Sequence, residues 1–245
     1  RPVIQTVFNV SFYSVKELTP GHALIIPRNG EVREVPFTEP LEKRSCSFER
    51  IYFSRGSDKH IYQERKQLGK NLVNNILDEV NHDLFNTVFS YIPDTAISAF
   101  YGLVEQLHQV CDSVKKEKIL SEKNTLTPER LDVIFNLRPR TETIAVKDIK
   151  LRTFITRDSQ RDDLVAHVYD ITYGTVRAGI DNLVVVDDSI VRGTTSKRLV
   201  KILRDSGAKE IHFRSVSPPI IAPCFLGIDT PKKDDLIAAN MSVEE

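Results

Sequence analysis

Leu183–Lys197 reads L-V-V-V-D-D-S-I-V-R-G-T-T-S-K, and this stretch decides the fold. Four apolar residues, Leu183–Val186, precede two adjacent carboxylates, Asp187 and Asp188. An apolar run of that length between turn signals suits a strand buried on both faces. A short loop follows and ends in Gly193 and the hydroxyl residues Thr194, Thr195 and Ser196, which suit the start of a helix. Leu199, Val200, Ile202 and Leu203 then recur at helical spacing. The stretch is therefore strand, loop, helix, with the acids at the carboxyl end of the strand, the edge at which open α/β sheets hold ligands. A helix N-terminus offers unpaired N–H groups and a positive partial charge, which together hold a phosphate. Gly193 lets a ligand approach closely, the hydroxyls add donors, and Arg192 is a charged candidate. Asp187 and Asp188 accept hydrogen bonds or hold a divalent cation. A sugar with vicinal hydroxyls and a distal phosphate satisfies both halves. The plainer alternative is a helix cap with two solvated acids.

Working outward, the same pattern recurs. Thr87–Tyr91 is a second buried strand, followed by Ile92-Pro93-Asp94-Thr95 and a helix over Ala96–His108. Asp94 or Thr95 is either a side-chain N-cap or a second anion or metal contact. Glu210–Val216 is a further strand, and Ser217-Pro218-Pro219 forces an extended exit. Ile61–Val80 carries Leu68, Leu72, Ile76 and Val80 at four-residue spacing and is expected to be one helix. Strands alternating with helices imply an α/β fold with a mostly parallel sheet and right-handed crossovers. Asp234–Asn240 is expected to start a last helix.

Other segments are less regular. Arg1–Pro40 is expected to be short β-strands with turns, including Val7–Val10 and Ala23–Ile26, with Asn29-Gly30 as a hairpin signal. Ser47–Ser54, S-F-E-R-I-Y-F-S, alternates and is rich in aromatics, so a strand is expected. Cys111–Arg140 is highly charged, with Pro128 placed to open a helix. Ile144–Ile155 is extended, and a polar stretch rich in arginine and aspartate follows, including Arg157, Arg161 and Asp162. A polar segment between strands suggests a mobile loop near the site.

Composition limits the function classes. Lys plus Arg and Asp plus Glu are 34 each, so no global field favours nucleic acid or a membrane surface. No run of eighteen apolar residues suggests a membrane span. Three scattered cysteines, Cys46, Cys111 and Cys224, suit a reducing compartment, so a cytoplasmic location is expected. The sequence opens without methionine, which suggests a fragment.

D-D-S-I-V-R-G-T-T-S (Asp187–Ser196) resembles the phosphoribosyl pyrophosphate loop of the phosphoribosyltransferases. With S-P-P-I-I-A-P-C-F-L-G-I-D (Ser217–Asp229), S-F-E-R-I-Y-F-S-R-G-S-D (Ser47–Asp58), Y-I-P-D-T-A (Tyr91–Ala96) and L-R-T-F-I (Leu151–Ile155), it is similar to the amidophosphoribosyltransferase family. The resemblance implies a type I phosphoribosyltransferase fold with a short β-rich N-terminal remnant. Residues 1–44 resemble the tail of a glutaminase domain, residues 45–245 a phosphoribosyltransferase domain cut short at its C-terminus, and residues 111–143 a charged insertion.

The family's reaction is transfer of the phosphoribosyl group to ammonia, releasing pyrophosphate, in purine synthesis. The resemblance implies that Asp187 and Asp188 meet the ribose hydroxyls and, with Thr95, magnesium. It implies that Ser189, Ile190, Val191, Arg192, Gly193, Thr194 and Thr195 cradle the 5′-phosphate, and that Pro93, Asp94, Thr95 and Ala96 hold the pyrophosphate. Arg152 and Arg157 are the candidate catalytic arginines, with Arg161 a further one, and a loop at about 156–176 is expected to close over the site. The family's glutaminase begins with a nucleophilic cysteine that this sequence lacks, so free ammonia is the expected donor. Cys46 and Cys224 fall on two positions of the [4Fe–4S] cluster that some members carry, whereas Cys111 matches nothing. The family also implies feedback inhibition by purine nucleotides and a homo-oligomer. A nucleobase-salvage phosphoribosyltransferase, or a non-catalytic phosphoribosyl-binding regulator, is the competing reading of the Asp-Asp loop.

Overall fold

The computed structural model describes residues 2–42, 44–147, 169–225 and 232–242. The chain packs as two units, Arg1–Ile61 and Tyr62–Glu245.

In the first unit a helix, α1 (Pro2–Phe8), precedes an antiparallel hairpin of β1 (His22–Ile25) and β2 (Arg33–Pro36). Asn29-Gly30 lies in the connection, as its turn chemistry requires, with Gly30 at φ 80°. Two expectations are corrected here. The apolar run beginning at Val7 belongs to the end of α1, because a four-residue apolar run fits a helix face as well as a strand. The stretch expected as a strand over Ser47–Ser54 is instead helical through Phe53, with a π-turn over Glu49–Phe53 and Ser54 as its extended cap. The Ser54 N–H and hydroxyl both return to Glu49, at 2.7 and 2.6 Å, and the rings of Phe48 and Tyr52 stack at 5.5 Å. Local bonding and i,i+4 ring contact thus outweigh the alternating pattern.

The second unit is built on four parallel strands in the order β4 (Arg140–Thr141), β3 (Thr87–Tyr91), β7 (Asn182–Asp187), β8 (Glu210–Ser215). All six residues of β7 are buried. Val184 and Val186 face a core with Phe89, Val73, Ile76, Leu77, Leu103 and Leu107. Leu183 and Val185 face a second core with Val88, Ile144, Leu199 and Leu203. Helices α3 (Val73–Glu79) and α4 (Ile97–Ser121) thus cover one face, and α6 (Thr194–Arg204) the other. Each fully buried aliphatic side chain contributes roughly 1.5–3 kcal/mol.

The expected helix over Ile61–Val80 is broken at Leu72 into α2 (Lys59–Asn71) and α3. The helix expected over Ala96–His108 runs on to Ser121, and Thr127 caps α5 (Pro128–Phe135) by accepting from the Arg130 N–H. Residues 111–143 therefore supply the end of α4, α5 and edge strand β4. Helices α2 and α4 meet at two glycines. A Cβ on Gly69 would lie 1.8 Å from the Ala99 carbonyl oxygen, and one on Gly102 1.9 Å from that of Lys66. At the amino end of β7, Asp181 is fully buried and accepts hydrogen bonds from Arg140 and Arg177 at 2.7 and 2.6 Å. Burial alone raises its pKa, but these bonds outweigh it and hold the carboxyl well below the usual carboxylate range.

Strands β5 (Ala145–Lys147) and β6 (Tyr169–Ile171) form a separate antiparallel ribbon. The expected mobile loop lies mostly between them, outside the described residues.

Candidate functional site

Parallel pairing brings the two loops together. Tyr91 stands opposite Val186, and the Ile92 N–H extends the ladder by donating to the Val186 carbonyl at 2.9 Å. Pro93-Asp94-Thr95-Ala96 and Asp187-Asp188 therefore leave the sheet side by side at its carboxyl edge. The Pro93–Asp94 peptide is cis. Neither Asp94 nor Thr95 caps α4: the residue at the cap position is Ala96, with no side-chain bond. Instead the Thr95 hydroxyl stands beside the Asp188 carboxylate and favours its charged form, and the Asp94 carboxylate lies 3.6 Å from Lys147 Nζ.

Asp187 is 9% exposed and accepts the Asp188 N–H at 2.8 Å. Burial, then the neighbouring charge of Asp188, pushes its carboxyl up to about 7. Burial also raises Asp188, against hydroxyl bonds from Ser189, at 2.7 Å, and from Thr95, and against the charges of Arg65 and Lys147. Next door, β8 fixes the backbone: Val216 N–H donates to the Asp187 carbonyl and Ser217 N–H to that of Asp188, both at 2.9 Å.

Ser189–Arg192 carries the chain to Gly193, the N-cap of α6, which adopts φ 74° and ψ −9°. This left-handed conformation favours glycine. Because the cap offers no side-chain acceptor, the first N–H groups of α6 are left to the loop and to any anion there. Thr194 and Thr195 stand in that first turn. The Arg192 guanidinium is 3.9 Å from Asp235.

Thus Thr95, Asp187 and Asp188 converge, with Ser189–Thr195 continuous with them, whereas Asp94 turns to Lys147. Arg152, Arg157 and Arg161 lie outside the described residues. Cys46 is exposed, Cys224 half-buried and Cys111 buried. Among the described residues no group of three or more His, Cys, Asp or Glu forms a metal-binding cluster. Lys147 and Arg65 were missed by sequence reasoning. Arg65 had a signal: it sits four residues after Ile61 and three before Leu68, on the apolar face of α2, and is 5% exposed. Lys147 had none, since its nearness to Asp94 depends on the ribbon. Among the described residues no helix is long and apolar enough to cross a membrane.

No protein-family model matches the chain. It is 32% identical over 235 residues to an amidophosphoribosyltransferase of Archaeoglobus fulgidus, covering 94% of this chain and 43% of that protein. It is 35% identical over 236 residues to the amidophosphoribosyltransferase of Bacillus subtilis, covering 94% and 42%. The solved glutamine phosphoribosylpyrophosphate amidotransferase from B. subtilis, complexed with ADP and GMP, superposes with a TM-score of 0.65 at 33% identity, over 94% of this chain and 43% of that one. A structure described as the allosteric regulatory enzyme of purine biosynthesis gives the same TM-score and identity. The fold is thus that of the type I phosphoribosyltransferases, and the chain spans somewhat under half the length of these relatives.

Proposed function

We propose that the chain belongs with the amidophosphoribosyltransferases it resembles, binds phosphoribosyl pyrophosphate and transfers the phosphoribosyl group to ammonia. The nitrogen lone pair attacks the ribose C1, the C1–O bond to pyrophosphate breaks with its electron pair on the leaving group, and the new ammonium loses a proton to solvent. The products are phosphoribosylamine and pyrophosphate.

The observation that supports this reading most is the parallel pairing of β3 with β7, which sets the expected pyrophosphate loop beside the expected ribose loop, with Thr95 next to Asp188. Asp187 and Asp188 orient the sugar by accepting from its vicinal hydroxyls. The α6 N-terminus and Gly193–Thr195 hold the 5′-phosphate. Pro93–Ala96 present backbone groups to the pyrophosphate, and Lys147 brings positive charge to the same side. The residues fit magnesium. Burial raises the pKa of both Asp187 and Asp188, a condition that a divalent cation relieves, and magnesium takes few protein ligands beside phosphate oxygens. When bound, it neutralises charge on the departing pyrophosphate. The protein's own contribution is positioning and charge stabilisation, with Arg152 and Arg157 proposed as contacts to the leaving group.

By the same reading, residues 1–44 belong to a glutaminase domain and 45–245 to the phosphoribosyltransferase domain, in a homo-oligomer. Purine nucleotides are proposed as inhibitors, in keeping with the ADP and GMP bound to the B. subtilis relative. Cys46 and Cys224 offer two thiolates to a [4Fe–4S] cluster, which usually needs four, so no step is assigned to it. The test is pyrophosphate release from phosphoribosyl pyrophosphate with magnesium and ammonia. Release that depends on both supports the reading; tight binding of a nucleobase with no use of ammonia overturns it in favour of salvage.

A further inference from the structure

The phosphate loop, Ser189–Gly193, leads into the first turn of α6. The Ser189 hydroxyl is turned to Asp188, and Gly193 has no side chain. The support comes from a segment far along the chain. The Ile237 N–H donates to the Val191 carbonyl at 3.0 Å. The end of the Ile237 side chain lies against Gly193, where a Cβ would come within 2.7 Å of Ile237 Cδ1. On either side of this contact the segment is anchored. Leu236 is fully buried, Asp235 stands 3.9 Å from Arg192, and the Asn240 amide donates to the carbonyls of Asp234 and Leu236 at 3.0 and 2.9 Å.

We propose that Ile237 is a positioning residue that braces Val191–Gly193 in the shape that receives the 5′-phosphate. This rests on the phosphoribosyl reading of the loop given above. The physical reason is preorganisation. A loop whose N–H groups already point at the anion binds it without ordering cost, and one that wanders must be ordered at the expense of affinity. Ile237 supplies both elements of the brace. Its N–H satisfies the Val191 carbonyl, and its side chain closes the space above a glycine in the left-handed region. It touches no substrate atom in this scheme and acts through the loop.

The experiment compares the chain with Ile237→Ala, Ile237→Val and, as a folding control, Ile134→Ala in α5, where Ile134 is 1% exposed. Hydrogen exchange of the amides of residues 189–196 is measured without ligand, and magnesium–phosphoribosyl pyrophosphate binding by calorimetry. Ile237→Ala is expected to speed exchange in the loop and weaken binding about tenfold, raising KM more than it lowers kcat. Ile237→Val should restore most of both, and Ile134→Ala should lower Tm without changing either. Unchanged exchange in Ile237→Ala overturns the proposal. So does affinity within about twofold of the parent, or an equal loss in Ile134→Ala. If the parent chain binds no phosphoribosyl pyrophosphate, the functional reading fails, and the exchange measurement still decides whether Ile237 braces the loop.

Discussion

The Thr95 hydroxyl stands beside the Asp188 carboxylate and favours its charged form, so the loops that end β3 and β7 meet through side chains as well as through the sheet. Thr95→Val removes the donor while keeping the shape. It is expected to weaken magnesium–phosphoribosyl pyrophosphate binding by about tenfold, since a hydrogen bond to a charged group is worth roughly 1.5–3 kcal/mol. Calorimetry checks this, and Tm should hardly move.

Asp187 carries a pH signature. Its folded pKa, about 7, lies above the ordinary carboxylate value, so between those values the folded chain binds more protons than the unfolded one. The stability it contributes is therefore complete below about pH 4 and is lost as pH rises through 7. Ligand-free thermal unfolding at pH 5 and pH 8 should show this decline, and Asp187→Asn should flatten it. The same variant should lose most magnesium-dependent turnover, because a neutral carboxamide holds the cation far more weakly than a carboxylate does. A steep decline persisting in Asp187→Asn would contradict the assignment.

The opposite sign holds at Asp181. Its folded pKa is depressed, so its stabilisation is present at neutral pH and lost as pH falls below about 4. Arg140→Ala removes one of two cationic partners and should cost about 1–3 kcal/mol in denaturant unfolding at pH 7, with the gap to the parent narrowing in acid. Site affinity should stay near the parent's, because Asp181 sits at the other end of β7.

Gly69→Ala and Gly102→Ala each drive a methyl into a backbone carbonyl of the facing helix. Neither α2 nor α4 can yield there without shifting as a unit. Each substitution is expected to destabilise by about 1–3 kcal/mol or more, read as a lowered Tm. If both were neutral, the two helices would not cross as closely as described.

Much of this molecule was open to reading from its sequence. Buried parallel strands are apolar on both faces, so Thr87–Tyr91 and Leu183–Val186 announce themselves without any partner. The Asp-Asp, glycine and hydroxyl order of Asp187–Thr195 is local chemistry on one crossover, so its strand–loop–helix form was legible too. Short-range competition misled the reading elsewhere. Ser47–Ser54 alternates like a strand, yet Phe48 and Tyr52 are four apart and stack across a helical turn. The run beginning at Val7 is too short for periodicity to separate helix from strand.

The sequence by itself determined the α/β class, the strand–loop–helix units and the residues that end them, because periodicity, caps and turns act over a few residues. Only the tertiary structure decided which side chains meet. Parallel pairing of β3 with β7 sets Thr95 against Asp188, the β5–β6 ribbon carries Lys147 to Asp94, and the segment anchored by Leu236 lays Ile237 over Gly193. Those juxtapositions arise from burying apolar faces far apart in the chain, and no local pattern encodes the register in which such faces come together.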